Sequence, residues 1–316
     1  MRNTVKVTGT WSVLVAIVLL SVDSPAYAQS RPGRERIPAN APDVQQRIAE
    51  LSSPDPVTRA AAAYALSRQG RQHAAAIPIL IALLGDETAV DPRAYRPRES
   101  WMDKSGADAF VSQRSSPGEE AANTLGGMGS NAVEPLIAVL SDNRWLVRKR
   151  AACALGEIRE AAAVDALSGA LKDPEQEVRK EAALALGEIR DRRAVEALVE
   201  ALKDESAEVR RHVAGALGEI RSAAAVEALS AALNDQDREV RKAAAQALGE
   251  IRDRRAVEAL IEALKDEYSE VRAQAARALG EIGDARAASA LTARLHDQDS
   301  HVRTQAARAL KELRRD

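Results

Sequence analysis

Between residues 176 and 202 the apolar positions Val178, Ala182, Leu186 and Ile189 are spaced by four, four and three, which lays them along one stripe of an amphipathic helix. Residues 190–193 interrupt the stripe as a turn. A second helix is predicted from about Ala194 to Leu202, with Val195, Leu198 and Leu202 on its buried side. The pattern returns every 31 residues, because Leu-Gly-Glu-Ile begins at Leu155, Leu186, Leu217, Leu248 and Leu279. A fixed period of this length marks stacked supersecondary units. Residues 160–221 also match 222–283 at about 45 of 62 positions, so the array grew partly by copying pairs of units.

Other positions keep the same phase. The arginine of a Val-Arg pair recurs at Arg148, Arg179, Arg210, Arg241, Arg272 and Arg303, and an aspartate at Asp142, Asp173, Asp204, Asp235, Asp266 and Asp297. This phase predicts a structural ladder in which each guanidinium bonds an aspartate of its own or an adjacent unit. Asp173 is also expected to cap a helix that starts at Pro174, and Ser53-Pro54 to open the first unit in the same way. Alanines recur at 152, 183, 214, 245, 276 and 307 and again two residues later, which lets neighbouring helices approach closely. Gly156, Gly187, Gly218, Gly249 and Gly280 each cost a helix up to ~1 kcal/mol relative to alanine, so a close contact should require them. Lys311 fills that slot in the last unit, where no second helix follows.

The motif Asp-x(4)-Val-Arg-x(2)-Ala-Ala-x-Ala-Leu-Gly-Glu-Ile resembles the HEAT repeats of the phycobilin-lyase-like type, closely over residues 142–316 and more loosely over 53–85 and 117–141. The resemblance implies an all-α fold, a right-handed α-solenoid of about seven and a half helix pairs whose second helices line a concave surface.

Composition narrows the class of function. Hydrophobic residues make up 46% of the 316 positions and aromatics 3%, so alanine, leucine, valine and isoleucine must fill the core. A formal charge of -2 gives no bulk attraction to a polyanion, which speaks against a nucleic-acid partner. Arg2 and Lys6, the uncharged run 7–22 and the Pro-Ala-Tyr-Ala sequence ending at Ala28 read as a secretory signal peptide cleaved after Ala28. The mature chain would be periplasmic or secreted with no membrane span, an uncleaved anchor being the alternative. Residues 29–52 are expected to form a tether and a short cap, and 53–316 the array.

The rhythm is lost at about 86–116, an insertion rich in proline, serine and arginine that carries Tyr95, Trp101 and Phe110. Trp145 stands just beyond it, where later units have polar residues or alanine. Either the insertion packs over Trp145, or these four aromatics form a docking patch for a partner.

Catalytic chemistry is missing. No histidine pair has metal-binding spacing, and the His-Glu dipeptides that hold a di-iron centre in the HEAT-repeat deoxyhypusine hydroxylases do not occur. Gly126-Gly127-Met128-Gly129 follows no strand and reads as a helix end rather than a phosphate loop. Cys153, the single cysteine, has no histidine nearby in sequence to activate it. No cofactor is expected. The remaining candidate site is the anticipated concave face, where Asp165, Glu196, Glu227 and Glu258 repeat at one second-helix position, with Glu200 and Glu262 one turn on and lysines beyond. These stripes fit a cationic or mixed-charge peptide or protein. The reading is a non-catalytic exported scaffold for a protein partner. An enzyme or cofactor-attachment auxiliary, or a purely structural envelope component, are the alternatives.

Overall fold

The computed structural model describes residues 42–69, 73–96 and 115–314, and the anticipated signal peptide, Trp101 and Phe110 lie outside them. The chain divides into two compact units, one ending at Thr124 and the other starting at Leu125.

In the first unit, the short helix α1 (Pro42–Glu50) packs on α2 (Pro56–Arg68), and α3 (Ile77–Leu83) follows. The N-cap of α2 is Asp55, whose carboxylate accepts from the amides of Val57 and Thr58, and Pro56 takes the first helical position. The helix thus opens two residues later than Ser53-Pro54 leads one to expect. Leu51, Leu66, Leu80 and Leu84 form the fully buried core. The base of the insertion is built: Val90 and Ser115 form an isolated antiparallel bridge, with amide-to-carbonyl distances of 2.9 and 3.1 Å. Glu120, only 2% exposed, accepts from Tyr95 Oη at 2.7 Å, from Ser115 Oγ at 2.9 Å and from the Arg96 guanidinium. One buried carboxylate therefore clasps both strands of the insertion's stem.

The helix α4 (Pro117–Met128) carries the chain into the second unit and ends where Gly129 adopts a φ of 67°. The segment Gly126 to Gly129 is thus a helix end. After α5 (Val133–Val139) come regular pairs: α6 (Trp145–Ile158) with α7 (Val164–Ala170), α8 (Gln176–Ile189) with α9 (Val195–Ala201), α10 (Ala207–Ile220) with α11 (Val226–Ala232), α12 (Arg238–Ile251) with α13 (Val257–Ala263), α14 (Ser269–Ile282) with α15 (Ala288–Arg294), and finally α16 (Ser300–Glu312). This is an all-α solenoid of helix pairs. Each first helix ends in a left-handed residue, Arg159, Arg190, Arg221, Arg252 or Gly283, and a three-residue 3-10 turn then feeds the second helix.

The start of the first helices corrects one expectation. The helix α8 begins at Gln176, not Pro174, and its N-cap residue Glu175 makes no side-chain cap bond. Asp173 Oδ1 accepts from the Glu175 amide at 2.9 Å, ahead of the helix, and both carboxylate oxygens are also engaged by Arg148. The guanidinium draws the carboxylate into the contact between units and away from the first helical turn.

Packing within the second unit is asymmetric. A Cβ built on Gly187 would lie 3.0 Å from Ala216 Cα, and one on Gly156 2.9 Å from Ala185 Cα, so each recurrent glycine admits the backbone of the next first helix. First helices pack directly on one another along the array, whereas each second helix packs mainly on first helices and makes no comparable contact with its own successor. In a curved stack the helices crowd together on the inner side and spread on the outer. Wherever the stack curves, its inner side is the closely packed layer of first helices.

Candidate functional site

The ladder runs forward from each unit to the next. Arg148 bonds Asp173 through Nε and Nη2 at 2.6 and 2.7 Å, Arg179 bonds Asp204 at 2.7 and 2.9 Å, and Arg210 bonds Asp235 at 2.7 Å through both. Arg241 and Asp266, then Arg272 and Asp297, continue the series. In each case Nη1 donates to backbone carbonyls of the arginine's own unit, such as Asp204 O at 2.8 Å. Arg303 makes this own-unit half through Asp297 O and Gln298 O. The Asp142 carboxylate pairs with Arg144 at 3.0 Å, because the slot 25 residues before it holds Pro117. These arginines and aspartates are consumed in joining units and offer a partner little.

The acidic positions anticipated for the groove, Asp165, Glu196, Glu200, Glu227, Glu258 and Glu262, are all exposed and sit on the second helices, which make no close contact with their own successors. They are also largely neutralised. Arg193 approaches Asp165 to 4.0 Å, Arg255 approaches Glu227 to 3.7 Å and Arg286 approaches Glu258 to 3.2 Å, each arginine coming from the following turn. Glu196 has Ala224 in the corresponding slot, so no such pair forms there. Glu200 pairs with Lys203 at 3.0 Å and Glu262 with Lys265 at 2.7 Å. The second helices thus carry carboxylates set beside arginines and lysines.

The layer of first helices carries a different pattern. Along each first helix, positions four apart share a face. One such position holds Lys149, Lys180, Arg211 and Lys242, and the position eight residues on holds Glu157, Glu188, Glu219, Glu250 and Glu281. The middle position between the two rows varies: Cys153, Leu184, Gly215, Gln246, Arg277. A cationic row and an anionic row thus border a variable centre. Some charges are shared internally, as Lys180 lies 3.1 Å from Glu208 and Arg190 lies 3.0 Å from Glu219.

Local electrostatics on this face follow from crowding. Desolvation, then the charges of Glu188 and Glu181, push the Glu157 carboxyl up from the ordinary glutamate value. Burial likewise raises Glu181. Burial, followed by the charge of Glu181 and then of Glu157, pushes the Cys153 thiol up to about 12, so it is protonated and unreactive at neutral pH. His212 is moved down by burial and by neighbouring Arg211, which keeps it neutral. A shallow cavity of about 230 Å³ opens among Leu184, Gly215 and Gln246.

The aromatic positions are dispersed in role. Tyr95 is half-buried in the insertion's stem, with its hydroxyl on Glu120 and its ring edge-on to Tyr64 at 6.0 Å. It is a structural residue of the stem and not an open docking side chain. Trp145, at the start of α6, is 40% exposed. Among the described residues no cluster of three His, Cys, Asp or Glu side chains is placed to hold a metal ion, and no helix is long and apolar enough to cross a membrane.

The geometry defines an all-α helical-repeat protein built from stacked helix pairs. The chain belongs to the HEAT-repeat family: a family model described as HEAT repeats matches residues 118–177, 166–244 and 226–311, well over half of the sequence. Among solved structures it is similar to YibA of Escherichia coli, at 20% identity over 91% of this chain and 100% of that one, with a TM-score of 0.56. A mutant of Kap121p aligns at 15% identity over 87% of this chain and 33% of that one, with a TM-score of 0.59. The complex of CpcE and CpcF of phycocyanin lyase from Nostoc sp. PCC7120 aligns at 23% identity over 89% and 100%, with a TM-score of 0.40. The first two likenesses, with TM-scores above 0.5, show the fold alone. Comparison with curated proteins finds no match.

Proposed function

We propose that this chain is an exported, non-catalytic scaffold that holds a partner protein or peptide against the concave layer of first helices. The observation that carries this reading is the pair of opposite-charge rows, Lys149 to Lys242 and Glu157 to Glu281, bordering a centre that differs from unit to unit. A fixed frame around a variable centre suits recognition of one extended partner, since rows of opposite sign orient it and the centre selects it. The leader ending at Ala28 supports export. Trp101 and Phe110 in the insertion, with Trp145, form a second docking candidate.

The test is crosslinking in the native envelope. Glu219→Lys/Glu250→Lys, on the inner face, should abolish capture of the partner, while Glu196→Lys/Glu258→Lys, on the outer face, should not. Trp101→Ala tells whether the insertion contributes. Equal capture by all variants would overturn the assignment of the inner face, and recovery of chain that does not begin at Gln29 would overturn the cleaved leader.

A further inference from the structure

The middle of the inner face holds a glycine that packing does not explain. Gly215 lies inside α10, where glycine weakens a helix. Gly156, Gly187 and Gly218 face backbone of the next helix, but a methyl group built on Gly215 meets nothing within 4 Å. The equivalent slots of other first helices hold Cys153, Leu184, Gln246 and Arg277, so a side chain is tolerated there. Across from Gly215, Leu184 is 36% exposed although it is a large apolar side chain. Together with Arg211, Lys242, Glu219 and Gln246 these residues surround the cavity of about 230 Å³.

That volume is below the ~300 to 1,000 Å³ of small-molecule sites. It fits a single large side chain, and interfaces concentrate their binding energy in such anchors. The walls carry opposite charge: Arg211 stands on one side with Lys242, which pairs with Glu239 at 2.7 Å, and Glu219 stands on the other, 3.0 Å from Arg190. We infer that the Gly215 cavity is the socket for one apolar anchor residue of a peptide segment, flanked by an acidic residue facing Arg211 and a basic residue facing Glu219. This rests on the scaffold reading above and specifies the chemistry of its partner.

The experiment pans a random dodecapeptide display library on the purified full chain and measures the enriched peptides by fluorescence anisotropy. Enriched sequences should share one leucine, methionine or phenylalanine between residues of opposite charge. Gly215→Leu, which fills the cavity in open space, should weaken them at least about tenfold, the loss of one anchor, with the circular-dichroism spectrum unchanged. Leu184→Ser should weaken them too, and Glu196→Lys/Glu258→Lys should not. Peptides that bind Gly215→Leu as well as the parent chain overturn the socket and leave the scaffold standing. Absence of enrichment overturns the socket as well, and overturns the scaffold only if the envelope crosslinking also traps nothing.

Discussion

Arg210 and Asp235 are joined across the boundary between units by two parallel bonds of 2.7 Å, while the same guanidinium closes on the carbonyls of Asp204 at 2.8 Å and Glu205 at 3.2 Å. One side chain thereby satisfies the next unit's carboxylate and the free carbonyls of its own turn. Arg210→Ala should lower stability by about 1 to 3 kcal/mol, because it strands the partly buried Asp235. Arg210→Lys should recover only part of this, since an ammonium cannot form the two-pronged contact. Urea denaturation measures both. An alanine variant within about 0.5 kcal/mol of the parent, the range of ordinary surface changes, would mean that the ladder is ornamental.

Two glycines separate packing from function. Gly187→Ala would place its methyl 3.0 Å from Ala216 Cα, so the helices must move apart at a loss of about 1 to 3 kcal/mol. Gly215→Ala meets open space and should gain about 0.5 to 1 kcal/mol from helix propensity alone. Thermal unfolding should shift the two midpoints in opposite directions. A shift of both in the same direction contradicts the close-contact account.

The fold was almost fully legible because every unit repeats the same instructions, so an error in one helix is corrected by the next. Helix starts were not. Asp173 looks like a cap, yet a residue from another unit claims it, and only three-dimensional neighbours reveal that competition. Which layer packs more closely was also hidden: periodicity identifies two helix layers, but their relative spacing depends on the contact of Gly187 with Ala216. Tyr95 illustrates the converse, an aromatic in a proline-rich insertion whose buried acceptor, Glu120, stands 25 residues away.

Acidity should act in two opposed ways. Hydrogen bonds from Arg272 hold Asp297 below its ordinary 3.8, and Arg148 and Arg210 do the same for Asp173 and Asp235 against the opposing effect of burial. A depressed carboxylate stabilises the fold above its unfolded value and loses that contribution as pH falls through the folded value, so the ladder fails below about pH 4. Glu157 and Glu181 are raised, and for them the folded chain binds protons more tightly, so stability should increase as pH falls from neutrality toward 4.5. Urea midpoints between pH 3 and 8 should therefore peak on the acid side of neutrality. The rise should vanish in Glu157→Gln/Glu181→Gln, and a monotonic fall from pH 8 in the parent chain would refute it.

The Cys153 thiol offers a clean probe of that same pocket. With its pKa pushed up to about 12, a disulfide reagent should label the native chain at least roughly tenfold more slowly than the urea-unfolded chain at pH 8. Removing the two neighbouring charges in Glu157→Gln/Glu181→Gln should speed native labelling. If the native rate equals the unfolded one, the thiol is neither shielded nor electrostatically suppressed.

The constant 25-residue reach from each ladder arginine to its aspartate makes interior units interchangeable cassettes. Excising a whole 31-residue cassette would rejoin severed rungs with no loose end, and inserting one would extend them, as the echo of residues 160–221 in 222–283 records. Removing one residue more or fewer would put the rung that spans the cut out of register. The length of this protein is therefore quantised, free to change in whole beats and resistant to change in between.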